Sequence, residues 1–155
     1  MKTYNILSID EFKRKIEINS RLLGIDPGKK NIGFAICDER RKVATPLTII
    51  KMDKFEKLLN KINEIINDNN IKGIVIGNPI NMDGSVSNMK VETDKFSKFI
   101  KKRYSIPVAL VDERLTTREA IERINSKREY LDKRYLDKHS ISAQIILESW
   151  LREQN

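Results

Sequence analysis

The stretch Arg21-Leu22-Leu23-Gly24-Ile25-Asp26-Pro27-Gly28-Lys29-Lys30-Asn31-Ile32-Gly33-Phe34-Ala35-Ile36-Cys37 decides the fold. Two apolar runs, 21–26 and 31–37, are split by Pro-Gly-Lys-Lys, the composition of a tight turn, so the stretch predicts a β-hairpin. A third strand is expected over 42–50. Downstream the period changes. Phe55, Leu58, Leu59, Ile62, Ile65 and Ile66 recur at helical spacing and stop at Asn67-Asp68-Asn69-Asn70. Residues 73–77 then read as a short buried strand, and the polar loop 78–87 leads to a helix carrying Val91, Phe96, Phe99 and Ile100. A strand over 108–111, a helix with Ala120, Ile121 and Ile124, and a last helix from about 139 to 152 complete the order. Antiparallel strands followed by strands alternating with helices predict an α/β fold, a mixed sheet with helices on both faces.

Outward from this domain, residues 1–20 stand apart as an N-terminal extension. Ser8-Ile9-Asp10-Glu11 has the capping-box pattern and Phe12, Ile16 and Ile18 follow it, so a short amphipathic helix is expected there. Residues 21–155 are expected to form one domain, a length that supports a proper core. No run approaches the ~18 apolar residues of a membrane span, so no membrane partner is expected. The N-terminus has no apolar signal-peptide segment. Cys37 is the one cysteine, so there is no internal disulfide, which suits a reducing cytoplasm. Lys and Arg total 30 against 22 acidic residues, a net charge of +8. That balance favours a polyanionic partner, although a Lys-rich solvated surface would give the same number.

Three positions carry the chemistry. Asp26 ends a strand, between Gly24 and Gly28, on a turn that holds it rigidly. Asp112 and Glu113 end another strand; side chains alternate along a strand, so only one of the two can enter a given site, and Arg114 is placed to pair with the other. His139 opens the last helix. Counting from it, Ala143, Ile146, Leu147 and Trp150 fall on one stripe, whereas the same steps from Asp137 give Ile141, Gln144, Ile145 and Glu148, a mixed face. Carboxylates gathered at one sheet edge hold divalent metal, and metal so held cuts phosphodiesters. Loop 77–85, which includes Asn81, should lie at the same edge and position a substrate backbone. Residues 127–138 interleave Lys127, Arg128, Lys133, Arg134 and Lys138 with Tyr130 and Tyr135, a mix suited to phosphates and unpaired bases or to an ordinary solvated connector. Lys29, Lys30, Arg114 and the basic residues around 98–103 are further candidates for holding a nucleic-acid backbone.

Five motifs in order complete the reading: Gly24-Ile25-Asp26-Pro27-Gly28-Lys29-Lys30-Asn31-Ile32-Gly33; Ala44-Thr45-Pro46-Leu47; Gly77-Asn78-Pro79-Ile80-Asn81-Met82-Asp83-Gly84; Asp112-Glu113-Arg114-Leu115-Thr116-Thr117; and Ser142-Ala143-Gln144-Ile145-Ile146-Leu147-Glu148-Ser149. Together, over roughly 21–151, they resemble the YqgF family of pre-16S ribosomal RNA nucleases, also described as Holliday-junction-resolvase-like. The resemblance implies a ribonuclease-H-like fold, a cytoplasmic bacterial protein, trimming of the 5′ end of the small-subunit rRNA precursor, and Asp26 and Glu113 as catalytic ligands of Mg²⁺ or Mn²⁺.

The chain departs from the family pattern twice. Residues 1–20 have no counterpart in it. The family's third acid, an Asp eight residues before the Leu of the tail motif, falls here on His139. Either His139 takes the role as imidazole ligand or general base, or Asp137 reaches in from the helix cap, or activity is weakened; helical phase favours His139. Mn²⁺ accepts imidazole more readily than Mg²⁺ does, so Mn²⁺ is the expected preference. The rival readings are a resolvase of branched, four-way DNA, which needs a dimer placing two sites on two strands, and a nucleic-acid-binding module with little catalysis; the sequence leaves monomer or dimer open. An actin-like phosphotransferase would need two such domains.

Overall fold

The computed structural model describes residues 14, 19–28, 30–51, 55–78, 88–112 and 138–153; the side chains of 88–90, 92, 112, 138, 139 and 153 lie outside that description. The expected extension helix, loop 79–87, Lys29, Asn81, Glu113, Arg114, the helix with Ala120, Ile121 and Ile124, and the basic segment 127–137 therefore fall outside the described residues.

Five strands form one sheet: β1 Arg21–Pro27, β2 Asn31–Cys37, β3 Ala44–Lys51, β4 Ile71–Asn78 and β5 Val108–Asp112. Among the described residues three helices accompany them: α1 Phe55–Asp68, α2 Asn88–Tyr104 and α3 Lys138–Glu153. The spatial order is β3-β2-β1-β4-β5. The hairpin forms as the Pro-Gly turn predicts, with Leu23 opposite Ile36 and Asp26 opposite Gly33. β3 adds antiparallel to β2; Ala35 pairs Pro46 while Phe34 pairs Thr48, so Leu47 bulges. A proline has no N–H for a ladder, and an edge strand with a bulge is where one is tolerated. β4 joins β1 in parallel, Ile25 opposite Ile76, and β5 joins β4 in parallel, Asn78 opposite Asp112. The sheet is mixed, as expected, with β2 alone running against the others.

Period-2 alternation divides the core into two layers. Leu22, Ala35, Cys37, Val75, Ala109 and Val111 pack on one face against Ala143, Ile146, Leu147 and Trp150 of α3. Leu23, Ile25, Phe34, Ile74 and Ile76 pack on the other against Leu58, Ile62 and Ile65 of α1 and Ile100 of α2. The stripe counted from His139 is thus the buried stripe of α3. On α2, Val91 is 47% exposed, and Thr93, Ser97 and Ile100 are the buried row. At 100° per residue, Val91 lies nine residues and half a circle from Ile100, whereas Thr93 lies seven residues and nearly two full turns away. The Ser97 hydroxyl donates to the Thr93 carbonyl at 2.8 Å, which lets a buried serine sit in that row.

Gly24 fixes how close α3 lies. A Cβ built there would stand 2.9 Å from the Leu147 Cβ and 3.0 Å from the Ala143 carbonyl oxygen. The helix rests directly on strand backbone at the centre of the sheet. Gln144 adds a side-chain bond, its Nε2 donating to the Ala44 carbonyl at 3.0 Å. No helix among the described residues is long and apolar enough to cross a membrane.

Candidate active site at the carboxyl edge of the sheet

Because β1, β4 and β5 are parallel, their carboxyl ends share one edge of the sheet. Asp26 stands there on β1, Asn78 on β4 and Asp112 on β5. Two strand spacings separate β1 from β5, roughly 10 Å. Alternation from Leu22 and Gly24 places Asp26 on the α3 face of the sheet. Asp26 is half-buried and engages in an interaction within the protein. Across β2 its neighbour is Gly33. The parallel register carried one residue past the Ile25–Ile76 pair sets Gly77 on the other side. Neither neighbour has a side chain to crowd the carboxylate. These two flanking glycines were not singled out from the sequence; their signal is a glycine at the cross-strand level of the acid, which is visible only once register is known.

Asp112 is the last residue of β5, in register with Asn78. Upstream on β5, Val108 and Leu110 face α1 and α2, and Ala109 and Val111 face α3. Asn78 ends β4 with a buried Oδ1 that has no hydrogen-bond partner; alternation from Ile74 and Ile76 sets it on the face of α1 and α2, opposite Asp26. His139 is the second residue of α3. One turn further on, Ala143 meets Gly24, two residues before Asp26 on the same face. Lys30 is exposed just past the turn that follows Asp26. Among the described residues no group of three or more metal-competent side chains gathers; Asp26 is the member of the expected set whose side chain is described.

Other polar chemistry lies elsewhere. Cys37 ends β2 and therefore sits at the opposite edge. Burial pushes its thiol up, against the Leu22 N–H donated to its Sγ at 3.2 Å. A buried thiol of raised pKa is a packing residue, not a nucleophile.

A family model described as Holliday junction resolvase, RuvX, matches residues 20–153. A Pelagibacter ubique protein named "Putative pre-16S rRNA nuclease" is 42% identical over 112 residues, covering 72% of this chain and 74% of that one. A protein of the same name from Crocosphaera subtropica is 34% identical over 134 residues, covering 85% and 92%. Among solved structures, T. thermophilus RuvC in complex with Holliday junction substrate superposes with a TM-score of 0.63 at 13% identity, covering 87% of this chain and 96% of that one. The yeast mitochondrial Holliday junction resolvase Ydc2 gives 0.55 at 14% identity. The structural likeness shows a resolvase-type, ribonuclease-H-like fold, and the sheet order agrees with it. With a family match running from the residue before β1 to the end of α3, the chain belongs to the RuvX family, the family that the five sequence motifs resemble.

Proposed function

We propose that this chain is a metal-dependent nuclease of the bacterial cytoplasm that hydrolyses phosphodiester bonds in the small-subunit rRNA precursor, at its 5′ end. The observation that carries the proposal is Asp26, a half-buried carboxylate at the carboxyl edge of the sheet with glycine on both neighbouring strands. An oxygen donor on a rigid strand end with uncrowded flanks fits a hard divalent cation. Asp26 and Glu113 would hold Mg²⁺ or Mn²⁺, with His139 as third ligand or proton carrier. The alternation that puts Val111 on the α3 face supports this choice, since one further step of the same period would bring Glu113, not Asp112, to the face of Asp26.

When bound, the metal supplies Lewis-acid polarisation of the phosphoryl oxygen and a hydroxide-like water. The chain's own residues orient the bond. Lys29 and Lys30 follow Asp26 directly and would pair with the phosphates beside it. Asn81 and Arg114 would fix the backbone from the loops after β4 and β5. Lys127, Arg128, Lys133 and Arg134 would hold the flanking strand.

The test is cleavage of a 5′-extended small-subunit rRNA fragment and of a four-way DNA junction by the wild type and by Asp26→Asn, each with Mg²⁺ and with Mn²⁺. The proposal expects the substitution to lower the rate at least 10³-fold, RNA to be cut in preference to the junction, and Mn²⁺ to support the faster reaction. Unchanged cleavage by Asp26→Asn overturns the assignment. Preferred junction cleavage, together with a dimer in solution, would favour the resolvase reading that the family description carries. Equal rates with Mg²⁺ count against His139 as a ligand.

A further inference from the structure

We propose that the outer face of α2, together with Phe55, is a second nucleic-acid contact, which grips an unpaired strand on the side of the sheet opposite α3. The argument begins with charge. The 17 residues of α2 carry six basic side chains, Lys90, Lys95, Lys98, Lys101, Lys102 and Arg103, and two acidic ones, Glu92 and Asp94, a net of +4. α1, with two lysines against Glu56, Glu64 and Asp68, is −1. α3, with Lys138 and Arg152 against Glu148 and Glu153 and with His139 neutral, is zero. Half of the chain's +8 is therefore placed on a single helix.

The charge is directed. Thr93, Ser97 and Ile100 bury the inner row, and Lys95, Lys98 and Lys102 are exposed on the outer one. Steps of three and four residues stack side chains on one face, and 95 to 102 spans about 10 Å. Such a row follows a phosphate backbone.

An aromatic pair borders it. Phe99 lies one turn after Lys95 and next to Lys98, and Phe55, the first residue of α1, meets it edge-on with ring centroids 5.0 Å apart. Phe55 is 47% exposed although it opens an otherwise amphipathic helix. An exposed ring braced by a second ring and flanked by lysines is a platform for an unpaired base, which a duplex, with its bases stacked inside, does not offer. Charge complementarity selects nucleic acid over a second copy of this chain, because two α2 faces of +4 would repel.

This inference rests on the nucleic-acid reading above but not on hydrolysis, and it is tested without turnover. Binding of a 5′-labelled single-stranded RNA 12-mer is followed by fluorescence anisotropy in EDTA across a salt series. For single strands each phosphate contact contributes about 0.7 to the slope of log K against log salt, so removing three contacts should lower its magnitude by about 2. That loss is expected for the Lys95→Gln, Lys98→Gln, Lys102→Gln triple variant, and the corresponding triple Arg variant should keep the wild-type slope. Phe55→Ala should weaken the single strand about 5-fold or more and leave a blunt duplex within 2-fold. Thermal melts confirm that each variant is folded. An unchanged slope in the Gln triple overturns the proposal, as does equal loss of duplex and single strand in Phe55→Ala. A change of molecular mass in the Gln triple with RNA binding intact would assign the face to self-association instead. The binding assay is read in EDTA, where no cleavage occurs, so loss of cleavage in Asp26→Asn and loss of slope in the Gln triple report on separate claims.

Discussion

Asp26 and Asp38 are two carboxylates on adjoining strand ends, and their surroundings put them to different use. Asp26 sits on the face that carries α3, flanked by Gly33 and Gly77. Asp38 sits at the other edge, in the turn after β2, where its Oδ1 accepts the N–H groups of Lys42 and Val43 at 2.7 and 2.8 Å. Burial acts to raise its pKa, but these backbone donors outweigh it and hold the carboxyl below its ordinary 3.8. The folded value lies under the unfolded one, so the stability it contributes is present above pH 3.8 and is lost as pH falls through the folded pKa. Asp38→Ala should lower Tm by ~2–4 °C at pH 7, the equivalent of about 1 kcal/mol for a chain this size. The gap to wild type should close as melts are taken to progressively lower pH below 3.8. A gap that stays constant through that range would show that the ionised carboxylate is not what secures the turn. Arg41, held at φ 57°, completes the same turn by donating from Nη2 to the Ser20 hydroxyl at 2.9 Å, which fastens the entrance of β1 to the β2–β3 connection.

At the scale of elements, α3 on β1 is the contact that the candidate site depends on. Gly24 permits it, since any side chain there meets Leu147 and the Ala143 carbonyl. Backbone and a core Cβ cannot swing aside, so Gly24→Ala should push α3 outward and cost about 1–3 kcal/mol, measurable as a lower urea midpoint at unchanged m value. A midpoint equal to wild type would mean that α3 accommodates the methyl and that its seat on the sheet is loose. The strands and helices were legible because their periods are clean. The hairpin was announced by Pro27-Gly28, α1 by Leu58, Ile62 and Ile65, and α3 by the stripe running from Ala143 to Trp150. The inner row of α2 was not legible from hydropathy, which ranks Val91 above Thr93; helix phase, fixed by Ile100, puts Thr93 inside. The closeness of α3 was not legible, because Gly24 and Leu147 are far apart in the chain and a glycine within a strand has several possible causes.

For the whole molecule, the mixed sheet does two things with one topology. Parallel pairing of β1, β4 and β5 brings residues 26, 78 and 112 to one edge, although they are scattered across the sequence. The crossovers place α1 and α2 on the face away from α3, so the +4 helix lies on the face opposite the one that carries Asp26. Segregation of this kind lets a basic protein hold a polyanion with one surface and keep a local negative pocket for cations at another. Sequence alone placed Asp26 at the edge correctly, from the strand-turn pattern around it. The partnership with Glu113 and His139 is proposed from motif order and helical phase. Convergence is the one thing a linear reading cannot supply, because it depends on register between strands rather than on any local signal.

The central claim is therefore tested most directly by anomalous diffraction from crystals soaked in Mn²⁺. The account predicts a manganese peak within coordination distance, ~2.0–2.3 Å, of an Asp26 carboxylate oxygen, with Glu113 as a second protein ligand. Manganese bound elsewhere with none at Asp26, or Asp26 and Glu113 directed to opposite faces of the sheet, would contradict it.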